Sequence, residues 1–175
     1  MKLQSYLMGE WREGQGEGVP VRDASTGEVL ARVTAEGLPV KEAVAWGREV
    51  GGRALLALGF QERGRRLRAL AQYLSERKEA LYRLYATTGG TRRDAWYDVD
   101  GGIGVLYTYS SLARNLPEGN LLPEDDFLPL SKDLPFQGRH VLAPKGGITV
   151  QINAFNFPVW GLLEKFAPAF LAGVP

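Results

Sequence analysis

The sequence contains no cysteine and a single histidine, His140. Without cysteine, these residues cannot form disulfides, hold a metal through thiolates or supply a thiolate nucleophile. One histidine cannot form a histidine cluster, and its position beside Arg139 in an expected strand is more typical of a structural role than of a catalytic one. We therefore predict no metal site.

The sequence also has no large excess of positive or of negative charge. The sequence has 21 lysines and arginines against 20 aspartates and glutamates, and its formal net charge is +1. Such a chain is not typical of proteins that bind nucleic acid or a membrane surface through their overall charge. The arginines between Arg63 and Arg68 leave a nucleic-acid site open as an alternative, although their helical spacing favours a solvated helix face.

Long apolar runs and a signal segment are absent as well. No run approaches the ~20 apolar residues that a membrane-spanning helix needs. Residues 1–6 lack the apolar core of a secretory signal. We predict a cytoplasmic location and no membrane partner.

The sequence does contain clear local signals for β-hairpins near its start. Residues 3–12 place β-prone side chains on both sides of Gly9, and residues 19–33 do so around the turn-forming residues 23–27. The glycines at 14, 16 and 18 are typical of a linker, because no helix follows them directly as it does in a phosphate-binding loop. An edge strand or a hairpin over residues 3–12 and a hairpin over residues 19–33 are therefore expected before the first helix.

Apolar residues then recur at helical spacing through residue 115. Pro39 is suited to open an amphipathic helix, and the glycines at 47, 51 and 52 are weak points where that helix is expected to pack closely or break. A second helix should hold five residues on one face: Gly64, Leu67, Leu70, Ala71 and Leu74. We predict that residues 1–115 form hairpins and a helical layer.

A further long helix should begin at Thr91, which forms a capping-box pattern with Asp94. The glycines at 101, 102 and 104 interrupt this helix and indicate places where another backbone comes close. Asp94, Asp98 and Asp100 are candidates for an acid or metal cluster, but helix-dipole partners and surface charge are the favoured interpretation.

Proline and acidic residues dominate the next stretch, which predicts an extended connection over residues 116–135. Residues 137–144 and 147–152 predict two strands. We therefore predict extended strands over residues 116–150, and an exposed edge there would invite pairing with another chain.

The segment at residues 150–158 predicts a strand, a tight turn and a helix. Pro158 suits the first helical position, and Gly173 suits the position that follows the last turn. In open α/β sheets, ligands bind at such a junction. The carboxamide of Asn156 can donate hydrogen bonds there to an oxygen that gains negative charge during a reaction.

Residues 151–158 read Gln-Ile-Asn-Ala-Phe-Asn-Phe-Pro and resemble the aldehyde dehydrogenase superfamily, in which the usual form is Gln-Ile-Ile-Pro-Trp-Asn-Phe-Pro. The order of hairpins, helices and the Pro-Lys-Gly-Gly turn before the last strand is similar to that family throughout the chain. Residues 98–104 and 152–158 look like its phenylacetate-degradation branch. The resemblance covers about the first third of a family member's dehydrogenase domain.

This resemblance implies an α/β fold: the N-terminal part of an aldehyde dehydrogenase, with helices preceding an extended β segment and an incomplete Rossmann-like cofactor domain that starts at residues 151–175. It implies NAD(P)-dependent oxidation of an aldehyde through a cysteine thiolate, hydride transfer to nicotinamide and a water activated by a glutamate. For the phenylacetate branch it implies NADP and a ring-opened, CoA-linked semialdehyde that is oxidised to the acid.

The same resemblance implies that strands near residues 127–150 take part in subunit contacts, so that residues 116–150 are extended strands of an oligomerisation type and the protein is a homo-oligomer.

Site residues follow from the resemblance as well. Asn156 matches the asparagine of the oxyanion hole. The backbone of Ile152, Asn153, Ala154 and Phe155 matches the segment along the cofactor, which is NADP or NAD. Three further residues match the substrate channel and, by their spacing, should share one helix face: Phe157, Gly161 and Glu164.

Several positions depart from the family pattern. Asn153-Ala154-Phe155 replaces Ile-Pro-Trp, so cofactor contacts should differ there. Gly161 and Glu164 stand where bulky or aromatic residues are common, which leads to the hypothesis of a wider, more polar channel. Because the family's cysteine and glutamate lie beyond residue 175, we expect the chain to be the leading part of a larger protein, or a shortened form, and to be inactive alone. A non-catalytic, self-associating module is the alternative.

Overall fold

The computed structural model describes residues 1–124, 126–132 and 135–175. Two antiparallel hairpins open the chain, with strands β1 Gln4–Leu7, β2 Glu10–Glu13, β3 Val19–Arg22 and β4 Val29–Val33. Met8 and Gly9 connect the first pair with φ angles of 55° and 89°, as a two-residue hairpin turn requires. The hairpin predicted over residues 19–33 is confirmed, and the first pair of strands forms a hairpin, one of the two alternatives predicted for residues 3–12.

Six α-helices follow in the described residues: α1 Val40–Trp46, α2 Gly52–Leu56, α3 Gly59–Ser75, α4 Lys78–Tyr85, α5 Arg92–Ala113 and α6 Trp160–Ala172. The core lies where α5 packs between α3 and α6. Gly64 permits the close approach of α3 to α5, because a Cβ atom at this position would lie 2.3 Å from the Cβ of Ala113. The predicted buried face of α3 is confirmed for Gly64, Leu67 and Ala71.

The helix predicted from Pro39 is interrupted where its glycines are. α1 passes into a π-helical turn over Gly47–Gly51 and then into α2. The expected burial of its apolar face is wrong for most positions, because Val40, Val44 and Val50 are exposed and α2 buries only Gly52 and Leu55.

The capping box at the start of α5 is confirmed. Asp94 donates its backbone N–H to Thr91 Oγ1 at 3.2 Å, and its carboxylate accepts from the Thr91 backbone N–H at 2.9 Å. The prediction that another backbone comes close is confirmed for Gly102, which lies against the backbone of Trp160. It is wrong for Gly101, which lies against the Trp160 side chain, and for Gly104, which faces open space.

Strand prediction after residue 116 is only partly right. The structure has four two-residue strands in two antiparallel pairs: β5 Leu122–Pro123 with β8 Val141–Leu142, and β6 Leu128–Pro129 with β7 Gln137–Gly138. The predicted strand at 147–152 is wrong for this structure, since a strand needs a paired neighbour and no sheet partner lies beside these residues in the described chain. Residues 125, 133 and 134 of the predicted extended stretch lie outside the described residues.

The arginines of α3 lie in different environments. Arg63 is fully buried, whereas Arg65 and Arg66 are exposed and form ion pairs with Glu62 at 2.7 and 3.2 Å. Arg63 therefore cannot belong to a nucleic-acid surface, and for the exposed arginines that alternative stays a prediction. Within the parts of the chain that the structure describes, no helix has both the length and the apolar character needed to cross a bilayer.

Candidate functional site

The turn that carries Asn156 lies between an extended segment and α6. Phe157 has a φ angle of 69°, in the left-handed region that non-glycine residues rarely adopt. The first helical residue of α6 is Trp160, two residues later than the predicted start at Pro158, and Gly173 ends the helix with a left-handed φ of 85° as predicted. The sharp reversal at Phe157 thus separates the extended segment from the helix.

A buried carboxylate fixes the start of α6. Asp98, on α5, has no exposed surface. Its Oδ2 accepts a hydrogen bond from the backbone N–H of Val159 at 3.1 Å, and its Oδ1 accepts one from Trp160 at 2.7 Å. These two donors would otherwise have no partner within the helix. Asp98 is therefore a helix-dipole partner as predicted, but for another helix, and it is not surface charge.

The backbones of α5 and α6 also meet directly at this point. A Cβ atom on Gly102 would lie 3.1 Å from both the backbone N and the Cα of Trp160, and one on Gly101 would lie 2.5 Å from the Trp160 ring. Glycine at these two positions lets the start of α6 lie close against α5.

Asn156 is exposed and lines an open groove of about 630 Å³. Leu30 of the second hairpin and Tyr85 at the end of α4 also line this groove. Burial raises the pKa of Tyr85 above its ordinary value, and the nearby carboxylate of Asp98 raises it further. In the part of the chain that the structure describes, the Asn156 carboxamide has no hydrogen-bond partner, so its N–H groups face the groove free to donate.

The residues before Asn156 are open to solvent. Ile152 is 89% exposed and Phe155 is 97% exposed. Among the described residues, no backbone-to-backbone hydrogen bond involves residues 150–156, whereas Thr149 donates to the carbonyl of Pro175 at 2.6 Å. The backbone N–H and C=O groups of this segment are thus unpaired in the described chain, and its apolar side chains are exposed. The segment from Ile152 to Phe155 is therefore accessible to a ligand.

Gly161 and Glu164 lie on α6 as predicted, but Phe157 precedes the helix, so the expectation that the three share one helix face is wrong for Phe157. A Cβ atom on Gly161 would lie 4.0 Å from both Asn153 Oδ1 and Lys165 Nζ. Lys165 donates to the Gly161 carbonyl at 2.6 Å and to Glu164 at 2.9 Å. Gly161 thus leaves room for polar groups at the start of the helix.

Two side-chain oxygens near this point are buried without a hydrogen-bond partner in the described chain, Gln151 Oε1 and Asn153 Oδ1. A buried acceptor that lacks a donor costs free energy. The groove that Asn156 lines includes none of the predicted channel residues Phe157, Gly161 and Glu164.

Other candidates from the sequence play structural roles. His140 is exposed, and its Nδ1 lies 3.0 Å from Glu124 Oε2. Asp100 accepts hydrogen bonds from Lys78 and Tyr82, which tie α4 to α5. Within residues 1–124, 126–132 and 135–175, no group of three potential metal-binding side chains comes together.

Sequence reasoning missed the roles of Asp98 and Arg63. Arg63 donates to the carbonyls of Leu171 and Leu55 and to Asn120 Oδ1, at 2.9, 3.1 and 2.6 Å. For Asp98 a signal was present, because the glycines at i+3 and i+4 mark the helix face against which another backbone packs. For Arg63 there was no such signal in the sequence.

Comparison with known proteins gives one consistent family. The sequence pattern described as the aldehyde dehydrogenase family matches residues 11–174. The 3,4-dehydroadipyl-CoA semialdehyde dehydrogenase of Aromatoleum evansii is 44% identical over 176 residues, which cover 100% of this chain and 34% of that protein. The peroxisomal aminoaldehyde dehydrogenase 2 of Malus domestica is 32% identical over 178 residues, which cover 97% of this chain and 34% of that protein.

Solved structures show the same fold. The structure of 3,6-anhydro-L-galactose dehydrogenase superposes with a TM-score of 0.81 at 24% identity, covering 99% of this chain and 35% of that one. A betaine aldehyde dehydrogenase variant from Staphylococcus aureus in complex with NAD+ gives a TM-score of 0.79 at 24% identity, with 99% and 34% covered. The chain thus spans about a third of the length of the relatives that it matches.

Proposed function

The chain belongs to the aldehyde dehydrogenase family, and from this premise we propose that it supplies part of the active site of an NAD(P)-dependent aldehyde dehydrogenase. The observation that carries this proposal is the position of Asn156, which faces an open groove with a free carboxamide next to a firmly held helix start. The same observation supports its assignment as the oxyanion donor.

In this proposal Asn156 donates a hydrogen bond to the aldehyde oxygen as that oxygen gains negative charge. A donor placed in advance stabilises the developing charge without reorganising during the reaction. The nucleophile must come from outside these 175 residues, because they contain no cysteine. The chain on its own should therefore not oxidise aldehydes.

NAD or NADP fits the exposed segment that precedes Asn156. The backbone of Ile152, Asn153, Ala154 and Phe155 would lie along the dinucleotide. When bound, the dinucleotide accepts the hydride that the aldehyde carbon loses. Asn153 would contribute a side-chain acceptor that isoleucine, usual at this position in the family, does not have.

The substrate class we propose is a CoA-linked semialdehyde of phenylacetate breakdown, oxidised to the acid. The 44% identity to a 3,4-dehydroadipyl-CoA semialdehyde dehydrogenase supports this choice. Gly161 and Glu164 support it physically, because a missing side chain and a carboxylate make the channel wider and more polar. Phe157, 45% exposed, provides the apolar side of the same channel.

We propose a role for each of three segments of the chain. Residues 1–115 form the hairpins and helical layer, residues 116–150 form strands for subunit contact, and residues 151–175 begin the cofactor-binding unit. We propose a homo-oligomer in the cytoplasm.

A graft tests the proposed catalytic role. This chain replaces the matching third of the Aromatoleum evansii enzyme, and NAD(P)H formation is followed with a semialdehyde substrate. The graft should be active and the isolated chain inactive; NADPH formation by the isolated chain would contradict the assignment.

A second candidate function is that of a non-catalytic, self-associating module. It is favoured by the large apolar side chains that remain exposed on the short strands and their flanks, such as Phe127, Phe136 and Val141. Sedimentation velocity of the chain discriminates. A concentration-dependent dimer or larger species supports the module, and a monodisperse monomer removes its basis.

A further inference from the structure

The start of α6 is held by a side chain that is remote in sequence and is not part of the groove. Asp98 lies in the middle of α5, and its two carboxylate oxygens each accept one N–H from Val159 and Trp160. A single carboxylate therefore fixes two consecutive peptide groups and, with them, both the position and the tilt of the first turn of α6. Asn156 lies only three residues before the first of these peptides.

The rest of the local packing leaves little freedom at this point. Trp160 lies against Gly101 and Gly102, where even a methyl group would meet its backbone at 3.1 Å. Gly161 donates its backbone N–H to the carbonyl of Phe157 at 2.9 Å, which closes the turn itself. The turn that carries Asn156 is thus bonded to α6, and α6 is bonded to α5 through Asp98.

The contact has a second consequence for the chemistry of the groove. A helix N-terminus with free N–H groups is a ready binding site for an anion. Here the N–H groups of Val159, Trp160 and Gly161 are all occupied by acceptors of the chain itself. An oxygen that becomes negative in the groove therefore cannot be stabilised by these three N–H groups.

From these contacts we propose that Asp98 is a positioning residue: it holds the first turn of α6 against α5 and so fixes the direction in which the Asn156 carboxamide points. The catalytic meaning of this inference rests on the proposed function of Asn156. Asp98 itself does not touch the reacting atoms. Its role is to hold the Asn156 carboxamide in one orientation. It also occupies N–H groups at the start of α6, so that they do not bind an anion.

The test uses the full 175-residue chain, labelled with ¹⁵N. Asp98→Leu keeps the branching and the number of heavy atoms and removes both acceptors, while Asp98→Asn keeps one oxygen that can accept one of the two bonds. Asp94→Asn is the matched control, because it is the same substitution one turn earlier on α5 and alters the cap of α5 but not that of α6.

In Asp98→Leu, amide hydrogen exchange at Val159 and Trp160 should accelerate roughly tenfold, the effect of losing a helix cap. The carboxamide ¹H–¹⁵N signals of Asn156 should move, and Asp98→Asn should give intermediate values for both readouts. Asp94→Asn should leave both readouts unchanged. If Asp98→Leu does not fold, the same two readouts are compared between Asp98→Asn and Asp94→Asn. Faster exchange and moved Asn156 signals in Asp98→Asn alone support the inference.

Unchanged exchange at Val159 and Trp160 in the Asp98 variants would overturn the inference. So would faster exchange without any movement of the Asn156 carboxamide signals, because Asp98 would then be a helix cap and nothing more. These readouts involve no catalysis. Their failure is therefore distinguishable from a failure of Asn156 to act as an oxyanion donor, which only an activity measurement detects.

Discussion

Replacing Arg63 with methionine should destabilise the helical layer strongly. The guanidinium group is fully buried and connects α3 to two other elements and a loop. Nε donates to the carbonyl of Leu171 at 2.9 Å, and Nη1 donates to the carbonyl of Leu55 at 3.1 Å and to Asn120 Oδ1 at 2.6 Å. Methionine keeps an unbranched apolar side chain of similar reach and removes all three donors.

The expected magnitude follows from the groups that lose a partner. The buried carbonyl of Leu171 would be left without a partner, at a cost of about 1–3 kcal/mol, because it lies in the last turn of α6, where carbonyls have no partner within the helix. The carbonyl of Leu55 keeps the N–H of Leu58 at 3.2 Å, so its loss costs less. Part of the total cost is offset, because the charged guanidinium is itself penalised by burial, which lowers the pKa of Arg63, and its Nη2 has no partner in the described chain. A net loss of about 2 kcal/mol remains, a sizeable share of the 5–15 kcal/mol typical of a domain.

Urea unfolding followed by far-UV circular dichroism measures this loss by linear extrapolation. Arg66→Met is the matched control, because Arg66 lies on the same helix with an exposed side chain that pairs only with Glu62. Its unfolding midpoint should change little. Combining Arg63→Met with Asn120→Ala should give a non-additive change of about 1–2 kcal/mol, since the two side chains share a hydrogen bond.

The reasoning would be refuted if Arg63→Met destabilised the chain no more than Arg66→Met does. The buried guanidinium would then contribute no net stability, and its burial cost would cancel its hydrogen bonds.

Two further predictions concern α5. Gly102→Ala should lower the free energy of unfolding by about 1–3 kcal/mol, because the new methyl group meets the backbone of Trp160; Gly104→Ala, in open space on the same helix, should raise it by up to about 1 kcal/mol. Equal effects of the two alanines in urea unfolding would contradict the close packing at Gly102. Hydrogen bonds from Thr91 lower the pKa of Asp94 below its ordinary value of 3.8. The stabilisation by Asp94 is therefore complete above that value and is lost as the pH falls through the folded-state pKa, so Asp94→Asn should flatten the acid side of a plot of Tm against pH; an unchanged slope would count against it.

Local signals were sufficient to predict the hairpins and the long helix. The turn at Gly9 and the capping box of Thr91 and Asp94 each involve residues at most three apart, so their geometry is set by their own neighbourhood. The break at Gly47–Gly51 was predictable for the same reason. Burial on α1 was not predictable, because periodicity shows which face is apolar and does not show whether anything covers it.

The strand predicted at residues 147–152 shows why the sequence of one segment is not sufficient to predict a strand. Apolar, β-prone residues favour an extended backbone, and Val150 and Ile152 are exposed on such a backbone. A strand, however, is defined by hydrogen bonds to a neighbour, and the sequence of one segment does not specify that neighbour. The late start of α6 follows from Phe157, whose left-handed φ angle reverses the chain before Pro158.

The candidate site was predictable to the extent that its motif is local. Asn156 was singled out from residues 151–158, and the structure places it at a groove; its role there stays a prediction. The buried roles of Asp98 and Arg63 were not predicted, because these side chains bind partners 61 and 108 residues away. Their burial depends on how α5, α3 and α6 pack, and for Arg63 no local sequence pattern indicates it.

The most direct test of the proposed function is the kcat of the grafted enzyme with Asn156→Ala. If Asn156 donates to the developing oxyanion, kcat should fall by about 100- to 1000-fold. Asn115→Ala, at an exposed asparagine outside the groove, should leave kcat unchanged. A kcat for Asn156→Ala within a few-fold of the unmodified graft would contradict the account.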